Sequence, residues 1–279
     1  MKTIEGRTAV VTGAGSGIGR ALALELARRG ARIMLVDIDE PGLAESRELV
    51  AAAGGNAEVS RTDVTDPAAM QRLADDTVAA FGAVHLLFNN AGVETGGPIE
   101  TIPLEAWRWV LDVNFYGVLN GCRTFLPLLR QQEEGHIVNT ASVMAFHAGV
   151  PTFAPYAVSK FAILAFSEAL DIELRTSGTP IGVSLLAPAF VKTEMPNAER
   201  NAPQGIPRSE DNPFRAMVME QVRTTVAESG LEAAEVARQA LDAVLESRFY
   251  ILPNPDEAIM SIEGRLAWMR ENIPMQMPQ

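Results

Sequence analysis

Thr8-Ala-Val-Val-Thr-Gly-Ala-Gly-Ser-Gly-Ile-Gly19 is a short apolar run, then glycines at 13, 15, 17 and 19, then the start of a helical pattern. The run reads as a strand. The pattern from Ile18 to Arg29, with Leu22, Leu26 and Ala27 on one face, reads as a helix stopped by Gly30. Between them, missing side chains let the backbone turn tightly and come close to a phosphate group, while N–H groups at the helix start supply positive potential. A plain strand-to-helix turn has the same composition, so the loop gains meaning only from what surrounds it.

Outward from this loop the strand–helix rhythm repeats. Further strands are predicted at 32–36, 57–60, 84–88, 136–139 and 181–186, and helices at 41–53, 67–81, 104–130 and 153–175. Near-continuous apolar strands separated by helices imply a parallel sheet covered on both faces, and right-handed crossovers make it doubly wound. The expected fold class is therefore α/β: one Rossmann-like domain over 1–279, with about seven strands flanked by helices on both faces. The rhythm breaks after Leu186. From 192 to 230 the chain turns polar and proline-rich, with Pro196, Pro203, Pro207 and Pro213, and is expected to form a substrate lid. Inside it, Phe214, Met217, Val218, Gln221 and Val222 have helical spacing with a mostly apolar face. A last strand at 249–252 and a helix at 255–269 close the chain.

Composition narrows the function. With 47% hydrophobic and 21% charged residues the chain has ordinary globular usage, which excludes a disordered one. Its net charge of −12 argues against nucleic acid and against an anionic membrane surface. An acidic protein still binds a polyanion where backbone amides supply the local field. The lone Cys122 permits no intrachain disulfide, which fits a reducing compartment. The polar start Met1–Gly6 has no leader-like apolar run, and no stretch approaches the roughly eighteen apolar residues of a membrane span, so a soluble cytoplasmic protein is expected.

Asp37 lies 18 residues after Gly19, at the end of the second strand. An acid so placed accepts hydrogen bonds from ribose hydroxyls and repels a 2′-phosphate. No Lys or Arg lies between residues 33 and 46, and Asp39 adds to the negative field, so NAD is favoured over NADP. By itself Asp37 reads equally as a helix cap or a surface acid. Tyr156-Ala-Val-Ser-Lys160 places a phenol and an ammonium on one helix face. A cation beside a phenol is expected to lower its pKa towards the working range. Such pairs are also common on plain helix surfaces.

Thr12-Gly-x-x-x-Gly-Ile-Gly19, Asn89-Asn-Ala-Gly92, Asn114, Ser142 and Tyr156-x-x-x-Lys160 occur in this order. Together they resemble the short-chain dehydrogenase/reductase family from about Arg7 to Thr193, with weaker similarity to the end. The resemblance implies a catalytic set of Asn114, Ser142, Tyr156 and Lys160. Tyr156 would be the acid/base. Ser142 would hydrogen-bond the substrate oxygen. Lys160 would tune the tyrosine and hold the nicotinamide ribose. Asn114 would hold a proton-relay water, although a merely structural buried amide fits the same position. Ser142 is likewise compatible with a simple cap. For the cofactor, the resemblance implies Gly13, Ser16, Gly17, Ile18 and Gly19 at the phosphates, Asp37 at the ribose, and Asp63 and Val64 at the adenine. Asn90, Ala91 and Gly92 would lie by the adenosine ribose, in a segment that equally suits a role in the sheet. Pro188, Val191 and Thr193 would lie by the carboxamide. Ala189 departs from the pattern, which has glycine after that proline.

The resulting expectation is an NAD-dependent oxidoreductase acting on a secondary alcohol or ketone. The alternatives are a non-catalytic NAD-binding regulator or scaffold, or a lyase or epimerase built on the same site. No metal is expected: His85, His136 and His147 are scattered, the first two as packing or surface residues and the third near the pocket. Substrate contacts are expected from 94–98, from the segment after Ser142 and from the lid. Met144, Phe146, Phe190, Met195, Phe214 and Met217 are offered as apolar walls, each also compatible with ordinary core. No arginine is clearly placed to clamp a carboxylate, although Arg200, Arg208 and Arg215 lie in the lid. The family resemblance implies a homodimer or tetramer through the helices at 104–130 and 153–175. Packing of those helices on their own sheet is the other reading of their small residues.

Overall fold

A computed structural model describes residues 1–272. Among the described residues there are seven strands: β1 (Thr8–Thr12), β2 (Arg32–Asp37), β3 (Asn56–Arg61), β4 (Leu86–Asn89), β5 (Gly135–Thr140), β6 (Ile181–Leu186) and β7 (Tyr250–Ile251). They form one sheet in the order β3-β2-β1-β4-β5-β6-β7, and every neighbouring pair is parallel. The fold is a single Rossmann-like α/β domain. The tail at 273–279 lies outside the described residues.

Strand pleating divides the core in two. Val10, Leu87, Ile137 and Val183 point to one face and pack there with Phe125 and Ile163. Ala9, Val11, Leu86, Phe88 and Val138 point to the other and pack with Leu22, Leu26 and Leu241. This alternation explains why the central strands are buried at almost every position. The covering helices are α1 (Gly17–Arg28), α2 (Glu40–Ala52), α3 (Pro67–Phe81), α4 (Leu104–Leu111), α5 (Gly117–Leu129), α6 (Ala154–Thr176), α7 (Pro213–Ser229), α8 (Ala233–Leu245) and α9 (Pro255–Glu271). None of those described is long and apolar enough to cross a membrane.

Two elements depart from the sequence reading. The helix expected to run unbroken over 104–130 contains a π turn at Asp112–Tyr116, closed by the Gly117 N–H on the Asp112 carbonyl. That wider turn absorbs an extra residue, and Asn114 within it is fully buried. The second is α8, a helix where the sequence pattern predicts no element. Its face of Val236, Ala237, Ala240, Leu241 and Val244 is wholly buried in the core that includes Leu22 and Leu26 of α1. Arg29, at the end of α1, reaches Asp242 at 2.8 Å.

The topology sets the position of the cleft. Chain order runs outward from β1 through β2 to β3, then returns to β4 on the other side. The loops leaving β1 and β4 therefore diverge and open a crevice at the carboxyl edge, where open α/β sheets take ligands.

Candidate active site

The glycine loop leaves β1 at one end of this crevice. Gly13 adopts a φ of +67°, and a Cβ there would lie 2.9 Å from the Ala91 Cα. A Cβ on Gly19 would collide with the Gly13 carbonyl. Only glycine permits this approach of loop, helix start and β4 exit. Thr12 ties the two strand ends together: its Oγ1 accepts from Asn90 N at 2.9 Å and Ala91 N at 3.0 Å, and the Asn90 amide donates to the Thr12 carbonyl at 3.1 Å. Beneath the loop, Arg20 donates to the Gly15 carbonyl and to Ser46, whose hydroxyl donates to the Ala14 carbonyl.

Asp37 ends β2 with its carboxylate fixed by three backbone N–H groups: Gly15 at 2.9 Å, Ile38 at 2.8 Å and Asp39 at 3.1 Å. It lines the crevice, as do Asp63 and Val64 on the far rim. Asp39 also lines it, but caps α2 through the Gly42 N–H. Ser16, Gly17, Ile18, Asn90, Ala91, Gly92, Pro188, Val191 and Thr193 border the same space, whereas Gly19 packs behind it. Asn89 is different: it bonds Asn139 at 2.9 Å and serves the sheet. Ala189 holds no left-handed backbone, so the methyl that replaces the customary glycine is accommodated.

Three further residues meet in the middle of the cleft. Tyr156 and Lys160 stand one turn apart on α6, with the ammonium 5.2 Å from the centre of the phenol ring. Lys160 donates to the Thr140 carbonyl at the end of β5, at 3.0 Å. Ser142 follows β5 and faces the phenol closely enough to favour its ionisation. Its hydroxyl also accepts from Met144 N at 3.2 Å, so the cap reading and the site reading hold together. Burial raises Tyr156 above its ordinary value despite Ser142, and burial brings Lys160 down to about 7. The phenol therefore lies above its ordinary range rather than below it as the sequence suggests, because burial dominates both groups.

Asn114 is positioned from three sides. Its Oδ1 accepts from Val93 N at 2.8 Å, and its amide donates to the Val93 carbonyl at 3.0 Å and to Ser159 at 2.9 Å. Both amide protons are used within the protein, so Asn114 acts as a strut between the β4 exit and α6. A Cβ on Gly92 would lie 3.4 Å from Asn114 Oδ1 and 3.7 Å from Lys160 Nζ, so these groups surround one small space.

The other end of the cleft, whose total volume is about 320 Å³, is apolar. Val93, Trp109, Val113, Met144, Val150, Phe153, Phe190, Met195, Met219 and Val222 line it. Of the expected walls, Met144, Phe190 and Met195 are there. Phe146 instead packs in the core beside Tyr250. Phe214 and Met217 point outward, 47% and 62% exposed, because α7 turns the face of Met219, Val222 and Val226 inward. Among the histidines only His147 borders the cleft. His85 accepts from Thr8 N, and His136 pairs with Ser184 at 2.7 Å, both buried.

Arg215, which the sequence places only in the lid, has a larger part. It is fully buried on α7 and binds both oxygens of the buried Glu94, at 2.6 and 2.5 Å. It also donates to Thr152 at 3.1 Å and lies 4.4 Å from the centre of the Phe153 ring. Burial raises Glu94 to about 7 against the opposing pull of Arg215. The signal in the sequence was a cation at helical spacing with Val218 and Val222, within an otherwise apolar stripe. Trp109, Met219 and Val226 had no comparable marker.

The chain matches the family model described as short chain dehydrogenase over residues 7–204, and it belongs to that family. The curated 1-deoxy-11-beta-hydroxypentalenate dehydrogenase of Streptomyces avermitilis is 39% identical over 252 residues, which is 89% of this chain and 85% of the relative. The CLA biosynthesis dehydrogenase/reductase of Lactiplantibacillus plantarum is 28% identical over 260 residues, 92% of this chain and 91% of the relative. The crystal structure of a short chain dehydrogenase/reductase from Burkholderia phymatum in complex with NAD aligns with a TM-score of 0.94 and 39% identity, covering 100% of this chain and 99% of that one. The protein is accordingly an oxidoreductase acting on CH–OH groups.

Proposed function

We propose that this enzyme uses NAD to interconvert a secondary alcohol and its ketone, with a hydrophobic substrate. The observation that carries the reading is the meeting of Ser142, Tyr156 and Lys160 at the boundary between the glycine-loop end of the cleft and its apolar end. The crowded Gly13 and Gly19, the amide-held Asp37 and the small space beside Gly92 fit a dinucleotide, and Asp37 disfavours one with a 2′-phosphate. When bound, nicotinamide supplies or accepts the hydride.

The chain's own residues manage the proton and the charge. Tyr156 donates its proton to the carbonyl oxygen during reduction and accepts the alcohol proton during oxidation. Ser142 donates a hydrogen bond to the same oxygen and stabilises charge developing there. Lys160, near neutrality in its pKa, shifts the phenol towards ionisation whenever it is protonated. Asn114 holds the β4 exit against α6. The segment 192–230 covers the apolar end as a lid through Met195 and α7. The buried Cys122 fits a reducing cytoplasm, and the exposed Val158 and Ile172 on α6 support association into a dimer or tetramer.

The test is Tyr156→Phe, assayed by nicotinamide absorbance against a panel of secondary alcohols and ketones with each cofactor. Turnover is expected to fall by about 10²–10⁴, with NAD affinity unchanged. Full activity in the variant rejects the assignment, and equal use of NAD and NADP by the native enzyme rejects the cofactor preference.

A further inference from the structure

We propose that Arg200 is a pyrophosphate-binding residue, carried by the lid segment across the mouth of the cleft onto the phosphates of the dinucleotide. The inference rests on the dinucleotide reading above and adds a cation from the opposite wall. Among the residues lining the cleft, the carboxylates are Asp37, Asp39, Asp63, Glu94, Glu194 and Glu257, and the only Lys or Arg side chains are Lys160 and Arg200. Lys160 is committed to the Thr140 carbonyl beside the phenol. A doubly charged pyrophosphate in a cleft of this sign, on a chain of net charge −12, gains from a cation added to the field of the loop amides.

The geometry puts Arg200 there. Its Nη2 donates to the Ser16 hydroxyl at 3.5 Å, 184 residues away in sequence. Ser16 occupies the N-cap of α1, yet its side chain makes no capping bond, and the first turn of α1 carries no acid. The opening amides of that helix are thus left to an anion, with the Arg200 guanidinium at the Ser16 hydroxyl beside them. The head of Arg200 is aimed by its own segment, because Nη1 donates to the carbonyls of Glu194 at 2.9 Å and Asn197 at 3.2 Å. Among the described residues its hydrogen bonds go to carbonyls and a hydroxyl and to no carboxylate, so its charge is available.

Position gives the grip a second effect. Arg200 lies in the last turn of a run of 3-10 turns, Met195–Asn201. Met195, Pro196 and Ala198 of the same run line the apolar end of the cleft, and Ala198 is buried with Val93 and Val110. Holding the phosphates through Arg200 therefore also holds this part of the substrate wall.

Binding measurements test the proposal without turnover. Native protein, Arg200→Gln and Arg200→Lys are titrated with NAD, ADP-ribose and adenosine. Calorimetry serves the first two ligands and saturation-transfer NMR the third. Arg200 is exposed and its charge is screened, so the expected effect in Arg200→Gln is a five- to tenfold weakening, or about 1 kcal/mol, for NAD and ADP-ribose. Adenosine, which has no phosphate, is expected to bind unchanged, and Arg200→Lys to recover part of the loss. The salt dependence of ADP-ribose binding becomes shallower in Arg200→Gln. Unchanged NAD affinity in Arg200→Gln overturns the proposal. So does an equal loss for all three ligands, which assigns Arg200 to lid folding. Failure of the native protein to bind any of the three rejects the dinucleotide reading itself.

Discussion

The two ends of the cleft are built by different means. At the glycine-loop end, nearly every fixed contact involves backbone: Asp37 is held by three main-chain N–H groups, and Thr12 and Asn90 bind strand ends. At the apolar end, side chains from distant segments meet one another, as Arg215 meets Glu94 across 121 residues and Met219 meets Met144 and Phe153. Backbone contacts survive exchange of neighbouring side chains. Contacts between side chains do not, so selection can remodel the apolar end while the glycine-loop end stays fixed.

The largest expected effect comes from breaking the side-chain-built end. Arg215→Met leaves Glu94 buried without its partner and is expected to cost about 3–5 kcal/mol, read as a lowered urea midpoint. The double variant Glu94→Met/Arg215→Met regains most of that loss, and a purely additive double variant contradicts the coupling. At the other end, Asp37→Ala is expected to cut the preference for NAD over NADP in kcat/KM by at least about tenfold, with little change in KM for the alcohol. Trp109→Ala sharpens the contrast in the opposite sense. It is expected to raise KM for apolar alcohols by several-fold, on the order of 1 kcal/mol of lost burial, while KM for NAD stays within twofold. If either variant moves both constants together, the two ends are not separable.

The last contrast is a pH dependence at their boundary. Lys160 has its pKa lowered by burial to about 7, so between pH 7 and 10.5 the unfolded chain binds the extra proton. Stability from this group therefore rises with pH across that window and is flat below it. Lys160→Met removes the rise. Urea midpoints of the native and variant proteins are expected to differ in slope between pH 7 and 9.5, and parallel curves contradict the burial argument.

This division also explains what could be read in advance. The glycine loop, the position of Asp37 and the spacing of Tyr156 and Lys160 are local: a tight turn needs glycine, and one helical turn spans four residues. The central strands were readable because strands buried on both faces are near-continuous apolar runs, whereas the largely exposed β3 was legible only from its place in the strand–helix rhythm. The apolar end was readable only in part. Phe214 and Met217 differ from Met219 and Val222 by about half a helical turn, and nothing in their own chemistry says which pair faces inward. The π turn at Asp112–Tyr116 shifts the helical register without any breaker residue to announce it. The small side chains of α8 gave its periodicity little contrast. The partnership of Arg215 with Glu94 arises only when the chain is folded.

That partnership has a consequence for engineering new specificities. A cassette exchange of 192–230 with the equivalent stretch of a relative imports a foreign residue at 215 beneath an unchanged Glu94 and Thr152. Grafts that bring positions 94 and 152 along with the donor segment should yield soluble protein far more often than grafts of the segment by itself.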